Sequence, residues 1–307
     1  MDPVPNPDNL QIRESNPSDI PSLVSLFKDI FGVETSVEHW MWKYGSSEMT
    51  SISLIAEWDG APVAHFGGQI FKGYYKRQPV SLSAVTDIMT HPRVRHFTRQ
   101  RAPLTQLGKL YIHMARERNV AFLYGFPGLS SRRFGERFLG YRPACRVPVY
   151  QWNLQPSSES LSVVNDIASL SSGMGPAITC GVVRSRAYLQ WRYSDRPGHD
   201  YRSVRGFNSE CIVKYLPGKI LVMDCNYSSC SELASLLRSI PFSSSESSFP
   251  RAEAWFPQTL KNELKKWMDL DEIASPYVLE YRPISLNPDA RWLAGNFFFS
   301  MGDYDVE

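Results

Sequence analysis

The stretch "DIMTHPRVRHFTRQRAPLTQLGKL", Asp87–Leu110, decides how this chain reads. It begins as the end of an apolar strand, Val80–Met89, and passes through Thr90-His91-Pro92, where the residue before proline is held extended. A run of arginines follows, and then an amphipathic helix from about Pro103, with Leu104, Leu107, Leu110, Tyr111, Met114 and Ala115 on one face. The next segment, Val120–Phe126, is continuously apolar, the pattern of a strand buried on both faces. Strand, helix and parallel strand make a right-handed crossover. The helix start carries unpaired backbone N–H groups and the positive end of the helix dipole, so anions collect there. Arg93, Arg95, His96, Arg99 and Arg101 crowd that corner, and guanidinium groups grip phosphate oxygens in pairs. A solvated basic loop explains the same residues equally well.

Working outward, Ile20–Phe31 spaces its apolar residues for a helix, and "SVEHWMWKYG" reads as a second short helix capped by Ser36 and stopped at Gly45. Two strands join at Asp59-Gly60, a hairpin signal. After a Ser-, Gly- and Pro-rich connection around residues 155–176 the pattern restarts: a helix at "RSRAYLQWRYSD", three strands turning once at Pro217-Gly218, a helix, a strand, a helix and two last strands, "SPYVLEYRPI" and "GNFFFSMGD". The halves share an order of elements with little identity. The expected fold is therefore α/β with mixed sheets, in two similar domains, residues 1–153 and 154–307.

The 307 residues are 43% hydrophobic and 21% charged, enough for real cores. A net charge of +2 gives no global argument for nucleic acid. The stretch from Arg93 to Arg146 is basic, but its aromatic residues sit at core spacings and form no stacking motif, so no nucleic-acid partner is expected. Five scattered cysteines read as free thiols in a reducing, cytoplasmic setting, and none has zinc-ligand spacing, so no metal is expected. No apolar run has membrane-spanning length.

Three short pieces, "THP" at Thr90–Pro92, "GFP" at Gly125–Pro127 and "LGY" at Leu139–Tyr141, stand in an order that resembles the GNAT superfamily of N-acetyltransferases. "AYLQWRYSDRPGHDY" at Ala187–Tyr201 and the ending "FFFSMGDYDVE" are similar to the second halves of tandem GNAT-like proteins. The resemblance implies two GNAT-like domains, each a twisted mixed sheet flanked by helices, with the acyl donor, acetyl-CoA or another acyl-CoA, in the first. Carried over residue by residue, it places Ile88, Met89, Thr90, Arg95, Thr98, Arg99 and Phe126 around the donor and Asp87 on the central strand as a carboxylate acting in catalysis. The family's tyrosine falls near Phe134, which has no proton to give, so Ser131 (or Ser130) is the candidate to take that task, unless these serines cap the helix.

The sequence departs from the family in its phosphate turn. Counted from Arg95, the glycine positions of that turn are Thr98 and Gln100, whose Cβ atoms crowd a backbone approach to phosphate. Three outcomes stay open: coenzyme A held by arginine side chains, an acyl group delivered on an acidic acyl carrier protein, or loss of donor binding. The expected activity is acyl transfer to the amine of a small molecule, an amino sugar being one candidate. Asp87 also has an ordinary reading, a strand-end Asp bonding backbone amides.

Overall fold

The computed structural model describes residues 9–45, 49–97, 101–156, 161–164, 167, 179–242 and 251–304. The chain forms two units, each with a mixed sheet. The first comprises Met1–Phe71, Val80–Pro143 and Glu280–Asn287; the second comprises Lys72–Pro79, Ala144–Leu279 and Pro288–Glu307. The units interleave along the chain: residues 144–153, assigned from the sequence to the first domain, belong to the second unit, and Glu280–Asn287 belong to the first.

The first unit starts with β1 (Gln11–Glu14), then α1 (Ile20–Phe31) and α2 (Val37–Tyr44). Asn16 forms a capping box with Asp19 before α1, and the Ser36 hydroxyl accepts from His39 N to start α2. β2 (Thr50–Trp58) and β3 (Ala61–Tyr75) form the expected hairpin; Asp59 and Gly60 both have positive φ, the conformation a two-residue turn needs to match strand twist. β4 (Gln78–Thr90), α3 (Pro103–Glu117) and β5 (Val120–Gly125) make the crossover, with β4 and β5 parallel. α4 (Leu129–Phe134) follows and continues as a π-helical turn, Gly135–Leu139, to β6 (Arg142–Arg146).

The sheet order is β1-β2-β3-β4-β5-β15-β6, where β15 (Val278–Pro283) comes from near the end of the chain and runs antiparallel to β5. Alternate residues of β2 sort the faces. Ile52, Leu54 and Ala56 pack with Leu107, Tyr111 and Ala115 of α3, while Ile55 packs with Leu23 and Leu26 of α1 and Trp40 of α2. Each such fully buried Leu or Ile contributes about 2 kcal/mol.

In the second unit the order is β8-β10-β11-β12-β13-β7-β14, with ranges Ser162–Val164, Tyr201–Gly206, Ser209–Leu216, Lys219–Tyr227, Arg251–Ala254, Val149–Asn153 and Asp271–Ile273. β12 and β13 are its parallel pair. The two sheets have thus exchanged a strand: β7, early in the chain, lies between β13 and β14, and β15, late in the chain, lies between β5 and β6. "GNFFFSMGD" is not a full strand. It contains the end of α8 (Ala290–Asn296), started by Asp289 Oδ1 accepting from Trp292 N at 2.8 Å, then one bridge at Phe297 and a 3-10 turn, Met301–Asp303.

Candidate functional site

The parallel ladder of β4 with β5 runs from Ser81/Val120 to Ala84/Tyr124. β5 ends at Gly125 and turns off through Phe126-Pro127-Gly128 into α4, but β4 runs on to Thr90. Among the described residues, Val85–Thr90 have no ladder partner on the β5 side. On its β5 side, β4 thereby runs beyond the end of the ladder by six residues, Val85–Thr90.

This stretch is bent by a bulge. Asp87 has φ +52°, a left-handed conformation that Asp tolerates better than most residues. Consequently Thr86 and Asp87 both aim at the α2 side, Val85 and Ile88 pack on the α3 side, and Met89 returns to the α1/α2 core. The Asp87 carboxylate is nearly buried. It takes an ion pair from Lys43 Nζ at 3.0 Å and a hydrogen bond from the Tyr44 hydroxyl at 2.6 Å. Burial and the Asp87 charge hold the Tyr44 phenol well above its ordinary range. The Asp87 carbonyl accepts from His65 Nδ1 at 2.7 Å, which fixes the tautomer. His65 is fully buried, and burial lowers its pKa, so the ring is neutral and Nε2 accepts from the Ser53 hydroxyl at 3.0 Å.

Beyond the bulge, the Thr90 hydroxyl oxygen is buried with no hydrogen-bond partner. Arg95 is exposed and folds back so that Nε donates to the Thr90 carbonyl at 3.0 Å. Arg93 and Arg101 are exposed, and Val94 and Phe97 pin the turn into the α3 core. α3 starts at Ala102 without a side-chain cap. Thr98 and Arg99, two of the residues expected around the donor, lie outside the described residues. Phe126 is buried, its ring edge-on to Tyr124 at 6.2 Å. Ser131 is exposed on α4, and Gly128 occupies the cap position, so Ser131 does not cap the helix. Phe134 packs tilted against Phe138 and against the core. On the α1 side a hollow of about 340 Å³ is lined by Ser25, Asp29, Trp58, Asp59, His91 and Arg93. Burial, then the Arg93 charge, lowers the His91 pKa.

Lys43, Tyr44 and His65 were not singled out from the sequence, yet a signal for two of them existed. Trp42-Lys43-Tyr44 recurs as Trp191-Arg192-Tyr193. In the second unit the Tyr193 hydroxyl bonds Asp224 of β12 at 3.1 Å, as Tyr44 bonds Asp87 of β4. There the carboxylate is further engaged by the buried Arg184, which also pairs with Asp303. All five cysteines are free thiols. Among the described residues no cluster of His, Cys, Asp or Glu is placed to hold a metal, and no helix is long and apolar enough to cross a membrane.

The crossover of β4, α3 and β5, whose ladder ends at Ala84/Tyr124, lies inside the stretch that matches a known family. Residues 11–144 match the family described as "Acetyltransferase (GNAT) domain". Solved structures resemble nearly the whole chain: a GCN5-related N-acetyltransferase from Kribbella flavida (12% identity, TM-score 0.62, 91% of this chain and 73% of that one) and Eis1 from Mycobacterium abscessus (14%, 0.59, 90% and 74%). A conserved protein from Enterococcus faecalis V583 is similar over 90% of this chain and 73% of its own, at 12% identity and TM-score 0.68. At these identities the likeness speaks for fold. No curated protein matches the sequence.

Proposed function

We propose that the protein is an acyl-CoA-dependent N-acyltransferase, with acetyl-CoA as the donor and a small amine as the acceptor. The observation that carries this is the end of the β4–β5 ladder at Ala84/Tyr124, with β4 continuing past it to Thr90. Backbone groups of Val85–Thr90 suit the amides of a pantetheine arm, and the unpartnered Thr90 hydroxyl is a polar atom such a ligand would satisfy. Ile88 and Phe126 would wall the arm, Met89 would back it, and Arg95, with Arg99 and Thr98 in the same turn, would meet the diphosphate. Side-chain guanidinium contacts replace the glycine-lined nest of the family's turn.

The amine comes from the α1/α2 side, where the hollow offers Asp29, Asp59 and Trp58, a surface that fits an amino sugar's ammonium and its ring face. Holding amine and thioester together is the largest part of the catalysis. Asp87 enters as the residue that shapes the opening: Lys43 and Tyr44 occupy its carboxylate, and the bulge aims the free edge of β4. Ser131 would lie on the donor's α4 side. Calorimetric titration of the full chain with acetyl-CoA tests the reading. Micromolar affinity supports it, and no heat at millimolar donor overturns it in favour of a protein that no longer uses a CoA donor.

A further inference from the structure

β15 places a carboxyl group beside the opening. Glu280 pairs with Gly125, the last residue of β5, and its side chain is 2% exposed. Residues directly across an antiparallel pair point to the same face. That is the α4 face, because Glu280 meets Arg132 and Glu136: Arg132 Nε lies 3.5 Å from Glu280 Oε1 and 2.8 Å from Glu136 Oε1. The Tyr141 hydroxyl is buried nearby without a hydrogen-bond partner, and Arg282 of the same strand donates Nε to the Leu139 carbonyl at 2.6 Å. Glu280 Oε1 itself has no hydrogen-bond partner. Across the ladder from Glu280, on the side toward β4, is Gly125, which has no side chain. Among the described residues a Cβ there would meet one atom within 4 Å, the Val85 carbonyl oxygen at 3.3 Å. A buried carboxyl, ion-paired with Arg132 and hydrogen-bonded to Glu136, therefore lies across Gly125 from the end of the β4–β5 ladder.

We propose that Glu280 is the acid of the transfer, protonating the sulfur of the departing thiol across Gly125. This rests on the acyl-CoA reading above. The amine nitrogen bonds the acyl carbon, the carbon–sulfur bond breaks, and its electron pair goes to sulfur. The amine's surplus proton leaves to solvent, the sulfur takes the Glu280 proton, and the carboxylate is reprotonated from solvent. Amine and thioester become amide and thiol with no further reactant. The role that Phe134 cannot fill is met from another strand. Burial, then the hydrogen bond and charge of Glu136, push the Glu280 carboxyl up to about 8, with Arg132 opposing, so it carries its proton at neutral pH.

The test uses the full chain, acetyl-CoA and hydroxylamine as a probe amine that is already neutral over the range, with thiol release followed from pH 7.5 to 10. Wild type should lose rate as pH rises through about 8. E280Q should lower kcat about a hundredfold at neutral pH and abolish that falling limb, leaving acetyl-CoA affinity unchanged. An aryl thioester, whose thiolate leaves without a proton, should be nearly indifferent to the change. Should E280Q fail to fold, E136Q supplies the result: removing the neighbouring charge should move the falling limb to lower pH. An unchanged limb in either variant, or an E280Q loss confined to donor affinity, overturns the proposal. If wild type binds no acetyl-CoA, the N-acyltransferase reading falls and this inference with it; if it binds and transfers while E280Q behaves as wild type, only the inference falls.

Discussion

Replacing Lys43 by Met should destabilise the first unit by about 3 kcal/mol. The Lys43 and Asp87 side chains are 5% and 9% exposed and their charges lie 3.0 Å apart. Breaking a buried pair by removing one partner costs about 3–5 kcal/mol, since the remaining charge stays out of water. The lower end applies here because the Tyr44 hydroxyl still donates to the carboxylate at 2.6 Å. Methionine keeps most of the side-chain volume, so the loss is electrostatic. Asp87→Asn is the matching change: Asn tolerates the +52° φ as Asp does, whereas Ala would add backbone strain and confuse the result. K43M/D87N removes both charges, so its cost should fall about 2 kcal/mol short of the sum of the single costs. Scanning calorimetry with urea melts would read this as a fall in Tm of about 10 °C for K43M, at roughly 2–4 °C per kcal/mol. A K43M cost below about 1 kcal/mol, or strictly additive single costs, would refute the claim that these charges hold the bulge.

Charge reversal at Arg95 should weaken acetyl-CoA binding tenfold or more, with the loss shrinking at high salt; isothermal titration at two salt concentrations measures it. Gly68→Ala should destabilise the first unit by about 2 kcal/mol in urea melts, because the new Cβ would overlap the Ala84 carbonyl oxygen and the Tyr111 hydroxyl, which bonds Ser83 at 2.7 Å. Glu280 should make stability pH-dependent. Its folded pKa is raised from 4.5 to about 8, so the folded state binds the extra proton between these values. Its contribution is full below about 4.5, declines as pH rises toward 8 and is flat above, and E280Q should remove that part of the slope of Tm against pH.

The crossover was legible because each of its parts carries a local signal: the period of α3, the apolar run of β5 and the extended Thr90-His91-Pro92. The hairpin at Asp59-Gly60 was legible for the same reason. The exchange of β7 and β15 was not, since the period of a strand states which face is buried and not which sheet receives it. The Asp87 network was half legible. Asp87 stood out on its strand, but its partners depend on a left-handed residue that no periodicity announces. The repeated Trp-Lys/Arg-Tyr triplet was the available clue to Tyr44 and Tyr193. Glu280 also left a mark, as an ionisable residue inside the apolar run "YVLEYRPI". Its neighbour Gly125 gains meaning only once the two strands are paired.

A crystal structure of the full chain grown with acetyl-CoA tests the central claim most directly. The account predicts the pantetheine arm lying along Val85–Thr90 where β5 has turned away, its sulfur over Gly125 and its diphosphate at Arg95. Donor bound anywhere else, or β4 and β5 paired on through Thr90 with no room between them, would contradict it.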